Sequence, residues 1–173
     1  GERLRADLLN AAAYMRRLAL LSLSAISPEL ASRAALVPPD ADPSVLDAFR
    51  YCGGGLSQRI AMAAHADPGL ITLKRATVET PALEVRDASS GRWLAVEARC
   101  KEHDIIVLTC EQVGEHAPAC FHRVARCVGV GGDVRRESLV FELRAPGDEE
   151  KAFDHAFANR QTAGPREVQE LES

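Results

Sequence analysis

The first stretch of the chain repeats its apolar residues at spacings of three and four. Leu4, Leu8, Ala11, Ala12, Met15, Leu18 and Ala19 share one side of a helical wheel, with Arg5, Arg16 and Arg17 largely on another. This pattern predicts a helix from Glu2 to Ile26. Ser27-Pro28-Glu29 then reads as a new helix start, with Ser27 as cap and Pro28 in the first turn. The second helix is short, because the prolines of Val37-Pro38-Pro39-Asp40-Ala41-Asp42-Pro43 break it into a loop.

From Val45 onward the period changes to that of antiparallel strands: short β-branched and apolar runs alternate with turn residues. The predicted strands are Leu46–Tyr51, Ile60–His65, Ile71–Arg75, Leu83–Asp87, Trp93–Glu97, Ile105–Thr109, Phe121–Val128 and Ser138–Leu143. Turn signals separate them at Cys52-Gly-Gly-Gly, Asp67-Pro-Gly, Ser89-Ser-Gly and Gly129-Val-Gly-Gly-Asp133. Strands at this spacing predict a mainly β sandwich or jelly roll, not a parallel α/β sheet. Asp148 to Asn159 reads as a last helix and Arg160 to Ser173 as a polar tail. The organisation is thus a helical lead-in (1–44), a β core (45–146) and a C-terminal helix with its tail (147–173).

Composition narrows the partners. A chain of 173 residues, 46% hydrophobic and 27% charged, fits a single globular domain. Its net charge of −4 makes nucleic acid an unlikely partner, because such binders carry basic surfaces. No apolar run approaches the roughly 18 residues of a membrane span. Arg3, Arg5, Arg16 and Arg17 ahead of Leu18–Ile26 superficially resemble a signal peptide, but the helical spacing from Leu4 and the start at Gly1 favour a piece of a longer protein. Targeting signals are then expected outside it. Five cysteines without a CxxC pair indicate no disulfide framework, so the cytoplasm or another reducing compartment is expected.

Candidate chemistry centres on His65-Ala66-Asp67. In extended backbone, residues i and i+2 project from one face, so an imidazole and a carboxylate can converge on one ion. His122, in a separate strand, offers a third ligand. Two histidines and one carboxylate on a single face of a metal leave open positions, as in non-haem Fe(II) oxygenases. Taken alone, His-x-Asp also suits a hydrogen-bonded strand end, and a lone strand histidine is commonly structural. Arg136 and Ser138, again i and i+2, form a guanidinium fork with a neighbouring hydroxyl that suits a carboxylate; alone, they equally suit an exposed strand face. Cys110, His116, Cys120 and His122 are close in sequence, but their spacing fits no zinc pattern.

The ordered set resembles a known family. His65-Ala-Asp-Pro-Gly-Leu-Ile-Thr-Leu73 is similar to its H-T-D-x-G-L-L-T-L segment, and Leu83-Glu-Val-Arg-Asp87 with Gly91-Arg-Trp-Leu94 resembles its L-Q-V…G-x-W hairpin. Asp104-Ile-Ile-Val-Leu108, His122-Arg123-Val124 and Arg136-x-Ser138 follow in the family's order. On these motifs the chain resembles the Fe(II)/2-oxoglutarate-dependent dioxygenases of the isopenicillin N synthase-like group over about Leu46 to Pro146. The resemblance implies a double-stranded β-helix (jelly roll) core, with Fe(II) on His65, Asp67 and His122. It implies the C5 carboxylate of 2-oxoglutarate on Arg136 and Ser138, with Tyr51 also hydrogen-bonding the cosubstrate. It further implies O2 as co-reactant, ascorbate as a candidate reductant, and oxidation of a small organic substrate with release of succinate and CO2. Most of the family's N-terminal half is missing, which raises assembly with that portion or with a partner protein. It also keeps open the alternative of a catalytically silent jelly roll acting as a binding or structural subunit.

Overall fold

The helical periodicity of the first segment is realised as α1 (Glu2–Ile26) and α2 (Pro28–Ala35) in a computed structural model that describes residues 2–52, 60–75, 77, 79–125 and 135–146. Ser27, in an extended conformation, caps α2 by accepting a hydrogen bond from the Leu30 N–H, and Pro28 sits in the first turn. Arg16 bridges back to the loop that follows. Its guanidinium meets the Asp42 carboxylate and donates to the carbonyls of Ala34 (3.0 Å) and Val37 (3.2 Å). Only the second half of the α1 stripe is covered among the described residues: Met15, Ala19 and Leu23 are buried, whereas Leu4 and Leu8 are exposed.

Eight strands follow: β1 (Val45–Cys52), β2 (Ile60–His65), β3 (Ile71–Arg75), β4 (Leu83–Arg86), β5 (Trp93–Ala95), β6 (Ile105–Thr109), β7 (His122–Ala125) and β8 (Arg135–Leu143). They form two four-stranded antiparallel sheets, ordered β1-β8-β3-β6 and β2-β7-β4-β5. Among the described residues, two boundaries differ by more than one residue from the sequence expectation, for physical reasons. β8 begins at Arg135, not Ser138, because β1 pairs with it all the way from Val45↔Glu142 to Cys52↔Arg135. β5 stops at Ala95, and Glu97 opens a 3-10 turn because its carboxylate turns inward to bind main-chain N–H groups. The remainder of the seventh predicted strand, the glycine-rich turns near 53–55 and 129–133, the C-terminal helix and the polar tail lie outside the described residues.

Alternation along the strands separates two environments. Ile71 and Leu73 of β3 and Phe141 and Leu143 of β8 join Met15, Ala19 and Leu23 in one apolar cluster, so α1 covers the outer face of the first sheet. Each large apolar side chain removed from water there contributes about 1.5–3 kcal/mol. The alternate positions, Thr72, Lys74, Arg136 and Ser138, are also buried, but on the face turned toward the second sheet. That face is polar at its heart, and a polar interior needs partners. Ala82, Leu83 and Val124 form a smaller apolar cluster on the second sheet.

Two glycines fix local geometry. A Cβ on Gly69 would lie 2.6 Å from the Leu143 carbonyl oxygen, so the loop after β2 packs against β8 only with glycine there. Gly91 (φ +69°) closes the β4–β5 hairpin, whose tip is organised by the exposed Asp87 carboxylate accepting from the Ser89 N–H and from the Ser89 and Ser90 hydroxyls. No helix among the described residues is long and apolar enough to cross a membrane.

Candidate metal centre

β2 and β7 are antiparallel neighbours, and their register sets His65 directly opposite His122. The two rings lie 4.5 Å apart between centroids, tilted by 52°. Register shifts interrupt the β2–β7 ladder between Ile60 and Met62 and between Met62 and His65. Asp67 follows just beyond the strand. Its Oδ1 lies 3.2 Å from His65 Nε2 and its Oδ2 3.7 Å from His122 Nε2. One donor atom from each of the three residues fits within 4.8 Å of the others.

The surrounding backbone holds these groups in place. The Glu111 N–H donates to the Asp67 carbonyl (2.9 Å), Gln112 N–H to Gly69 (2.9 Å) and Leu70 N–H to Leu143 (2.8 Å). His65 Nδ1 is 2.8 Å from the Ala63 carbonyl and His122 Nδ1 is 3.1 Å from that of Cys120. A carbonyl only accepts, so both Nδ1 atoms carry hydrogen and the Nε2 atoms point into the cluster, the orientation a metal ligand needs.

Electrostatics follow the same geometry. Burial pushes His122 down to about 4, helped by the nearby Lys74 charge and opposed by Asp67. Burial also presses on His65, yet its hydrogen bond to Asp67 and the Ala63 carbonyl raise it overall. For Asp67, burial is outweighed by His65, the Lys74 and His122 charges and a Thr72 hydrogen bond, so its carboxyl stays well below the usual carboxylate range. Burial lowers Lys74, with Asp67 opposing. The Cys110 thiol, 3.2 Å from Thr72 Oγ1, is held far above its ordinary value by burial and by Asp67, which makes it a poor nucleophile.

One feature fits a divalent cation: Asp67 Oδ2 is buried and has no hydrogen-bond partner. An orphaned carboxylate oxygen facing two imidazole Nε2 atoms is satisfied by a cation. Among the described residues, His65, Asp67 and His122 are the group of His, Cys, Asp or Glu able to hold a metal; Cys110, His116 and Cys120 do not join it.

Sequence reasoning did not single out Lys74 or Glu97. Lys74 Nζ lies 2.7 Å from His122 Nε2 and 4.0 Å from Asp67 Oδ2. Arg136 and Ser138 do share a buried face of β8, as expected from their spacing. The Arg136 guanidinium, however, donates to Glu97 Oε1 at 2.6 Å, both side chains being 1% exposed. Glu97 Oε2 accepts from the Ala82 N–H (2.7 Å) and Leu83 N–H (2.9 Å). Tyr51 pairs with Arg136 in the β1–β8 register, but its side chain lies outside the described residues. The signal for Lys74 was its i, i+2 relation to Thr72 within a strand otherwise apolar on its other face. For Glu97 no local signal existed.

Comparison with solved structures places the fold. A candidate oxygenase of Shewanella oneidensis superposes with a TM-score of 0.66 at 20% identity, covering 94% of this chain and 67% of its own. A candidate 2OG-Fe(II) oxygenase family protein of Caulobacter crescentus gives 0.65 at 22% identity, covering 81% and 46%. The fold is that of the 2OG-Fe(II) oxygenases. An Arabidopsis thaliana dioxygenase for auxin oxidation, solved with 2-oxoglutarate, shares the oxygenase fold with a TM-score of 0.54 at 20% identity, covering 69% of this chain and 46% of its own. The chain therefore spans about two thirds of the first oxygenase and less than half of the other two. No family model and no curated protein matches it.

Proposed function

We propose that the chain is the double-stranded β-helix core of a non-haem Fe(II)- and 2-oxoglutarate-dependent oxygenase acting on a small organic substrate. The strand orders β1-β8-β3-β6 and β2-β7-β4-β5 support the jelly-roll reading. The observation that carries the function is the buried, unpartnered Asp67 Oδ2 beside two inward-facing imidazoles. His65, Asp67 and His122 hold the iron in this reading. When bound, Fe(II) supplies open positions for the oxo acid and O2 and the redox chemistry that couples 2-oxoglutarate decarboxylation to substrate oxidation.

The protein's own residues bind, orient and exclude water. The Ala63 and Cys120 carbonyls fix both imidazole tautomers. Lys74 and Arg136 are buried cations on the inner face, suited to the carboxylates of an oxo acid. Arg136, Ser138 and Tyr51 form the C5-carboxylate seat in the family pattern; for Arg136 to serve, it must share itself with Glu97.

The Lys74–His122 and Glu97–Arg136 contacts favour one other reading, a silent jelly roll in which protein groups fill the positions of metal and cosubstrate. Anaerobic titration with Fe(II) and 2-oxoglutarate separates the two. A visible metal-to-ligand charge-transfer band, followed by succinate on admitting oxygen, is expected of the oxygenase. A folded protein that gives neither band nor succinate is the silent one.

A further inference from the structure

We propose that the exposed N-terminal half of α1 is the docking face for this chain's own segment Asp148–Asn159, laid along it as an antiparallel helix. The face stands on the outer side of the first sheet, away from the proposed iron centre. Leu4, Leu8 and Leu9 are 64%, 45% and 61% exposed. With Arg5, Ala12 and Leu46 of β1 they line one groove. Large apolar side chains gathered on a surface in this way mark a place that something covers. The groove extends the core: Leu46, which lines it, also packs against the cluster that holds Met15, Ala19 and Leu23.

The path of the chain indicates the occupant. β8 ends at Leu143, and the Arg144 N–H then donates to Ser44 Oγ (3.3 Å), two residues from Leu46. Ala145 packs against the same cluster as Leu46, so the chain departs at the edge of the groove. That edge is the Arg16 end, because Arg16 holds Asp42, and Asp42 in turn accepts from the Ser44 N–H. A segment that leaves from there and follows the groove runs toward Leu4, against the direction of α1.

The residues that come next suit the groove in pattern, length and charge. Ala152, Phe153, Ala156 and Phe157 recur at helical spacing and share one face. A helix over Asp148–Asn159 is roughly 18 Å long, which matches the reach of α1 from Leu4 to Arg16. Asp148, Glu149, Glu150 and Asp154 outnumber Lys151 in the segment, whereas Arg3, Arg5, Arg16 and Arg17 outnumber Glu2 and Asp7 on α1. Opposite net charge favours this pairing. Pro146 and Gly147 are the whole tether, and so short a link holds the segment at an effective concentration on the order of millimolar. A second copy of the chain competes for the face without that advantage.

Hydrogen exchange of the full 173-residue chain, read by mass spectrometry, tests the assignment. Amides of Leu4–Ala12 and of Ala152–Phe157 are expected to be protected together, equally at low and high protein concentration. Phe153→Asp/Phe157→Asp should speed exchange about tenfold or more in both stretches, while β3 and β8 keep their protection. Leu8→Asp, placed on the other side of the contact, should release Ala152–Phe157 to the same extent, and it serves if the first variant misfolds. Protection of Leu4–Ala12 that survives the phenylalanine changes overturns the assignment, and a rise of that protection with concentration makes a second copy the occupant. Rapid exchange of Ala152–Phe157 in the unsubstituted chain overturns it equally. None of these outcomes depends on iron or 2-oxoglutarate.

Discussion

Two charged groups bridge the sheets in the interior, Glu97 with Arg136 and Asp67 with His65, His122 and Lys74. The first is closed: the Glu97 carboxylate accepts from a guanidinium and two main-chain N–H groups, so both of its oxygens are occupied. The second is open: Asp67 Oδ2 has no hydrogen-bond partner, and Lys74 leans on an imidazole nitrogen for lack of a better acceptor. Glu97 and Arg136 are the more deeply buried, His65 and Asp67 being 14% exposed, so depth alone does not mark a site. The difference lies in the carboxylates. One whose two oxygens are both engaged holds the sheets together, whereas one with an unpartnered oxygen is suited to a cation.

Breaking the open group should cost function most. Asp67→Ala is expected to abolish Fe(II)-dependent succinate formation and Fe(II) binding together, with the fold retained by far-UV circular dichroism. Iron binding that survives this substitution would sink the assignment of Asp67.

Breaking the closed group should instead cost stability. Glu97→Ala leaves Arg136 buried without its carboxylate and should destabilise the fold by about 3–5 kcal/mol in urea unfolding. Glu97→Leu/Arg136→Leu should recover most of that loss. A double variant as unstable as the single one would show that Glu97 matters through its main-chain contacts instead.

The open group should also reveal itself through pH. His122 in the folded chain sits at about 4, against an ordinary value of 6.5. Between those values the unfolded chain binds the extra proton and the folded one does not, so metal-free stability falls as pH falls. The loss is at most about 3 kcal/mol across that window. His65, raised in the folded state, works in the opposite sense and offsets part of it. Unfolding curves from pH 7 to 4 should therefore slope downward, and His122→Gln should flatten them.

The smallest of these effects concerns the frame. Gly69→Ala forces a methyl group against the Leu143 carbonyl and should cost about 1–3 kcal/mol. Metal affinity should fall with it, because the same loop carries Asp67. Unchanged affinity for Co(II) in this variant would mean that Asp67 is positioned from the Glu111 side alone.

Much of the frame was legible in the order of residues. The period of α1, the Ser27-Pro28 helix start and most of the strand bounds are local properties of the chain. The three residues proposed as metal ligands were legible as a group because His-x-Asp and His-Arg-Val carry recognisable wording and because strand geometry lets i and i+2 converge. Glu97 was not, since it read as the end of a strand and its partners, Ala82, Leu83 and Arg136, are set only by tertiary packing. Lys74 was missed for a related reason. A lysine ending an apolar strand usually points to solvent, and only the second sheet, arriving with His122, makes it an interior group.

Because His65 and His122 are rung partners on neighbouring strands, the gap between them is set by ladder hydrogen bonds and not by the long segment that joins them. The β4–β5 tip, held by Asp87 and Gly91, projects into solvent well apart in sequence from the three ligands. A peptide tag, fluorophore or whole recognition module spliced between Ala88 and Gly91 should therefore leave the site's spacing untouched. The same property would let a lineage acquire new specificity by lengthening that tip while the chemistry stays where it is.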